Sequence, residues 1–166
     1  MGKVQEYFTS GSPGAVSRSV DEIVISVRNA GEEDIPFGAP VFLAEDGAAG
    51  FSADEPRDAS AFLGFAVRVA DKTPQEYPRG QFGEPPAGAW HPGDVMEVLV
   101  RGGIVVKMTA AADPGSRVYL RKSDGRLTPA AGDSGSTVLL DNVRVRGPMD
   151  ISTGTCEVIV NRRNMI

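Results

Sequence analysis

"DVMEVLVRGGIVVKMTA", residues 94–110, is the stretch whose reading decides the fold. It is dense in Val, Leu, Ile and Met, residues that suit the pleated, half-buried surface of a strand. Arg101-Gly102-Gly103 stands in its middle. Paired glycines between two apolar runs are a hairpin signal, because tight hairpin turns need positive φ. The stretch therefore reads as two antiparallel strands that turn at these residues.

The same rhythm extends in both directions. Upstream, "EIVISV" (22–27) and "PVFLAE" (40–45) are short and β-branched or apolar. "NAGEEDIPFGAP" (29–40) between them is a turn with two prolines, and "DGAAGFSADEPRDAS" (46–60) is a loop of small residues. In "AFLGFAVRVA" (61–70), Phe65, Val67 and Val69 alternate with polar Arg68, which predicts one buried face for the three. Downstream, "RVYLRK" and "RLT" flank a Ser-Asp-Gly turn, "GSTVLLDNVRVRG" (135–147) alternates in its second half, and "GTCEVIVN" (154–161) closes the chain. No stretch keeps a helical period over ten residues. The predicted class is all-β, a single compact barrel or sandwich of jelly-roll kind with eight to ten short strands.

Three segments fall outside that body. Residues 1–20 are polar and rich in Gly and Ser, and read as an extended N-terminal arm. Residues 71–94 hold five prolines and four glycines and read as a long loop, with residues 162–166 as a C-terminal tail. The domain proper is 21–161. Long ordered loops in compact domains are often functional.

Composition narrows the function. The 166 residues carry a net charge of -5 and a pI near 4.9, with no basic stripe, so the phosphate-neutralising footprint of a nucleic-acid binder is missing. Asn161-Arg162-Arg163-Asn164 reads as a solvated tail. No apolar run reaches the ~18–20 residues of a membrane helix. The N-terminus has no apolar signal region, and Glu6 stands where a myristoylation start wants Ser or Thr. The single cysteine, Cys156, permits no disulfide within the chain and no zinc cluster, and fits synthesis in a reducing cytoplasm. No cofactor is expected.

One motif argues for chemistry. Gly132-Asp133-Ser134-Gly135-Ser136 looks like the nucleophile loop of a chymotrypsin-like protease, and His91 is the only imidazole, with Asp94 or Asp113 to orient it. Against that reading, His91 sits between Trp90 and Pro92 rather than at a small, apolar strand end. The chain is also short for two six-stranded barrels, and Asp-Ser-Gly is ordinary turn chemistry. A small serine hydrolase using Ser134 and His91 is the alternative function. A third reading, a carbohydrate-binding sandwich with Trp90 and Tyr77 as stacking platforms, suffers from few aromatics, 7% of the chain. The carboxylates of residues 32–34 and 46–58 lack the spacing of a Ca²⁺ loop.

The order of the pieces is more specific than any one of them. "GSPGAV" (11–16) is followed by "DIPFGAPVFL" (34–43), "FLGFAVRVADKT" (62–73), "HPGDVMEVLVRGGIVVKM" (91–108), "RVYLRKSDGRLT" (117–128) and a last strand ending Val158-Ile159-Val160. This series resembles the structural cement, or capsid decoration, proteins of tailed phages and prophages. Such proteins carry an "IPFG" strand, an "FLG" strand, a "GD.V.VL..G.V.V" hairpin and a "VY….G..T" hairpin. Residues 138–150, "VLLDNVRVRGPMD", depart from the family's pattern. The resemblance implies a non-enzymatic protein on the virion capsid exterior, made in the bacterial host cytoplasm. Its partners would be the major capsid protein and its own copies, as a trimer or dimer. The arm and the 71–94 loop are then the expected clamps. The candidate contacts are Tyr7 and Phe8 in the arm, and Tyr77, Phe82, Trp90 and His91 in the loop.

Overall fold

The computed structural model describes residues 11–17, 21–55, 57–70, 72 and 88–162. The described residues form eleven strands and one 3-10 turn, Ala59–Ala61, with no α-helix. The strands are β1 (Ile23–Arg28), β2 (Ile35–Pro36), β3 (Pro40–Ala44), β4 (Gly47–Ala49), β5 (Phe62–Ala66), β6 (Ala89–Trp90), β7 (Val95–Lys107), β8 (Arg117–Arg121), β9 (Leu127–Thr128), β10 (Thr137–Val145) and β11 (Thr155–Val160). Nine of them make one antiparallel, strongly curled half-barrel sheet in the order β4-β3-β5-β7-β11-β10-β8-β9, with β1 also on β7; β2 and β6 pair apart. The all-β class holds. The strand order is that of a curled sheet and does not by itself trace a jelly roll.

The expected hairpin within 94–110 is not formed. Residues 95–107 are one continuous strand of 13 residues, and Arg101-Gly102-Gly103 lies inside it. Its first half pairs with β1 and β5, and its second half with β11. Gly102 does take positive φ, at +119°, but for another reason. Met96, Val98 and Val100 point into one apolar cluster, whereas Ile104 and Val106 point into another. All five are even-numbered, so a regular strand would turn them to one face. The phase changes between them. Val24 pairs with Leu99 but Ile23 with Arg101, leaving Val100 as the extra residue of a bulge. Gly103 also has no room for a side chain, because a Cβ would stand 2.1 Å from Ser17 Oγ.

The strand thus joins two halves. Around its first half the sheet curls until Asn29 bridges Ala48 of β4, and the Ala30 N–H donates to the Ala48 carbonyl at 2.8 Å. The smaller core, with Val41, Leu63, Met96 and Val98, lies in that curl and is capped by Ile35, Phe37 and Trp90. The larger core lies between the halves. Phe42, Phe62 and Phe65 meet Ile104, Val118, Leu120, Leu140 and Val158 there. The three Phe rings stack edge to face, with centroids 6.0 and 5.2 Å apart. Each such contact contributes about 0.5–1.5 kcal/mol beyond area burial.

Two further expectations change. β5 ends at Ala66, so Phe65 and Val67 enter the larger core while Val69 packs on the smaller one. Residues 11–17, the described part of the arm, are not free of the core. Gly14 N–H donates to Val105 O at 2.8 Å, Val105 N–H to Ala15 O at 3.0 Å, and Ser17 N–H to Gly103 O at 2.9 Å. Gly14 also presses on Gly38: a Cβ on Gly38 would stand 2.8 Å from the Gly14 nitrogen. That contact joins the "GSPGAV" and "IPFG" motifs.

Candidate functional site

The 71–94 loop has two feet, and they stand together. A Cβ on Gly88 would lie 2.6 Å from the Lys72 carbonyl oxygen, and the Phe37 N–H donates to Gly88 O at 3.2 Å. From Gly88 the chain enters β6, which pairs with β2 as Ile35 with Trp90 and Pro36 with Ala89. "HPGD" then makes a tight turn. Asp94 N–H donates to His91 O at 3.0 Å, and Gly93 takes φ +85° in the third position, as a type II turn requires. Of the prolines and glycines read as loop chemistry, Pro92 and Gly93 build this turn and Gly88 stands at the loop's foot.

Trp90 is 4% exposed. Its Nε1–H donates to Val67 O at 3.0 Å, and its ring stands edge-on to Phe37, 6.1 Å between centroids. The ring face is taken up by packing in this chain, so it is no stacking platform for a sugar. His91 is exposed, and its Nδ1 lies 2.8 Å from Asp34 Oδ1, with both side chains more than half open to solvent. Tyr7, Phe8, Tyr77 and Phe82 lie outside the described residues.

Lys72 and Asn29, which the sequence reading missed, hold this corner together with Asp94. Lys72 Nζ lies 2.8 Å from Asp94 Oδ2 and 5.9 Å from the centre of the Trp90 ring. Asp94 also accepts from His91 N–H at 2.9 Å. The Lys72 ammonium first, and the His91 amide second, hold the Asp94 carboxyl below its ordinary value. Asn29 is 1% exposed and donates to Trp90 O and Glu33 O, while its Oδ1 accepts from Gly31 N–H. Only "HPGD" among these carried a local signal, since Pro followed by Gly is a recurrent turn pair.

Beside the β2–β6 sheet runs a groove of about 790 Å³ between residues 30–40, 49–57 and 124–127. Ile35, Phe37, Phe51 and Leu127 give it an apolar floor. Glu32, Glu33, Asp34, Asp54, Glu55 and Asp124 outnumber Arg57, Lys107 and Arg126 along it. Part of that charge is already paired, Glu55 with Arg57 at 3.5 Å and Asp124 with Arg126 at 3.6 Å.

The protease-like motif is a turn. Ser136 N–H and its Oγ both bond Asp133 O, at 2.9 and 2.8 Å, and Gly135 takes φ +82°. Among the described residues no hydrogen bond joins Ser134 to His91, whose ring is engaged by Asp34. No group of three or more metal-ligating side chains occurs among the described residues, and no helix there is long and apolar enough to cross a membrane.

Among curated proteins none matches the chain in sequence. Among solved structures the fold is similar to a chain in the capsid of Myoviridae phage XM1. The TM-score is 0.67 and the identity 18%, over 97% of this chain and 96% of that one. The family described as "Structural cement protein (E217 gp24/Pam3 gp6)" matches residues 2–161. That match covers nearly the whole chain. The chain belongs to the phage structural cement protein family, as a structural component of the capsid and not an enzyme.

Proposed function

We propose that this cement protein binds the outer face of the capsid as a homo-oligomer and ties neighbouring major capsid subunits together. The observation that carries the reading is the family match over residues 2–161. The fold supports it physically. A β-body with two cores and a shared strand is a stiff platform, and the arm and the long loop both spring from pinned feet, at residues 11–17 on β7 and at Lys72 and Gly88 beside β2–β6. Clamps held at their roots lose less entropy on docking. A second contact made within one oligomer is intramolecular, so modest contacts reinforce one another.

Residues 1–10 and 73–87, with Tyr7, Phe8, Tyr77 and Phe82, are the proposed contacts, and His91 stands exposed at the foot of the loop. Trp90 acts from beneath by fixing that foot. The feet are close enough for residues 73–87 to be replaced by a short glycine linker without moving either one. The test is cryo-electron microscopy and thermal rupture of phage shells assembled with wild-type protein or with this loop-excised variant. Density over the outer shell and a higher rupture temperature are expected with wild type. Loss of both is expected with the excised variant, whose own thermal unfolding stays near wild type. Full occupancy by the excised variant would remove the loop from the interface, and density on the inner face would overturn the reading.

A further inference from the structure

We infer that β1 is a dimerisation edge, pairing antiparallel with β1 of a second copy about a two-fold axis at Ile25. The inference rests on the homo-oligomer part of the reading above and names its interface.

Among the described residues β1 is paired along its length on one side only, by β7. Asn29 N–H donates to Asp94 O and Gly93 N–H to Asn29 O, so Asn29 faces β7. Antiparallel alternation puts Val27 and Ile25 with it and turns the backbone groups of Ser26 and Val24 outward. Gly47 approaches the Arg28 carbonyl, so the open ladder ends there. Natural sheets guard such edges with Lys, Pro, bulges or a covering segment. Residues 23–28, Ile-Val-Ile-Ser-Val-Arg, have no Lys and no Pro, and from Val24 to Arg28 the pairing with β7 is unbroken. Of the five exposed large hydrophobic residues among the described ones, three are here: Ile23 and Val24 at 39% and Val95, the β7 partner of Arg28, at 66%. Ser26 and Arg28 are also exposed.

The occupant is argued from the edge's own sequence. Set antiparallel to itself about Ile25, the strand places Ile23 opposite Val27 of the second copy and Val24 opposite Ser26. Glu22 then faces Arg28, and the two-fold makes that pair twice. Neither Glu22 nor Arg28 is in an ion pair among the described residues, and both are exposed. Cross-strand pairs of β-branched residues and of opposite charges stabilise a ladder. The parity is right: Val24 and Ser26, both outward, exchange backbone bonds, while Ile25 meets Ile25 between them. A two-fold axis makes the contact self-complementary and closed.

Sedimentation velocity of the full chain over a wide concentration range tests this. Wild type should sediment as a dimer. Ser26→Pro removes an outward N–H that β7 does not use, a place where an edge strand tolerates proline. It should abolish the dimer while the circular dichroism spectrum stays unchanged. Arg28→Glu alone should weaken the dimer, and Glu22→Arg with Arg28→Glu should restore it. A wild-type monomer at every concentration overturns both this edge and the homo-oligomer reading. A dimer or trimer indifferent to Ser26→Pro and to the charge swap overturns the edge alone.

Discussion

Gly102 is the residue on which the long strand depends. Its φ of +119° is one that side chains rarely adopt, and it sits where the strand changes the face it shows to each core. Gly102→Ala should cost about 1–3 kcal/mol, as forced positive φ does, read as a lower urea midpoint with an unchanged slope. Cys156 offers a second residue-scale check. It is fully buried, and burial first, with the Glu157 charge second, pushes its thiol up to about 11. It should stay unmodified by a thiol reagent at neutral pH in the folded chain and react at once in denaturant. Ser134→Ala should leave stability and shell binding unchanged, and a fluorophosphonate probe should not label the wild type. Single residues were legible only where the chemistry was local. The Asp-Ser-Gly turn and the buried cysteine followed from residue type. Trp90 and Asn29 did not, because Val67 as the partner of the one and the Trp90 carbonyl as the partner of the other are set by how the chain returns on itself.

At the scale of elements, most strands were visible as apolar runs between turn residues: β1, β3, β8 and β11 lie within two residues of where they were read. β7 was misread as a hairpin for a definite reason. A turn and a phase change both call for glycine at positive φ, and the flanking periodicity is the same in either case. Only the partners of each half decide, and those are distant in sequence. The two-residue strands β2 and β6 are too short to have any period. In residues 138–150, β10 bulges between Leu140 and Arg144 as it passes from β8 to β11. The arm gives the prediction here. Removing residues 1–10 should leave the melting temperature near wild type. Removing 1–17 should also lose the bonds to Gly103 and Val105, about 0.5–1.5 kcal/mol each. Thermal unfolding of both truncations isolates what residues 11–17 add by completing the sheet.

At the scale of the whole molecule, three turn carboxylates among the described residues link folding to pH. Asp94, Asp124 and Asp150 are all held below the ordinary value of 3.8, by hydrogen bonds from Lys72, Arg121 and Ser152 respectively as the leading cause. Folding therefore favours their ionised forms. The stability they add is complete above that value and is lost as pH falls through their lower folded values. The melting temperature should be flat near neutrality and fall in acid, and Asp94→Asn should shallow that fall.

Because β7 runs unbroken from the curled half to the other, a pull along its axis meets a particular resistance. At about 3.3 Å per residue the strand is about 43 Å long. Its flanking ladders would have to slide lengthwise, breaking many hydrogen bonds at once, whereas a hairpin at Arg101-Gly102-Gly103 would have peeled open one bond at a time. In the tie proposed above, a load along this strand would be borne in shear. The bulge at Val100, the one irregular rung beside the glycines, is where such a tie should yield first under a mechanical pull.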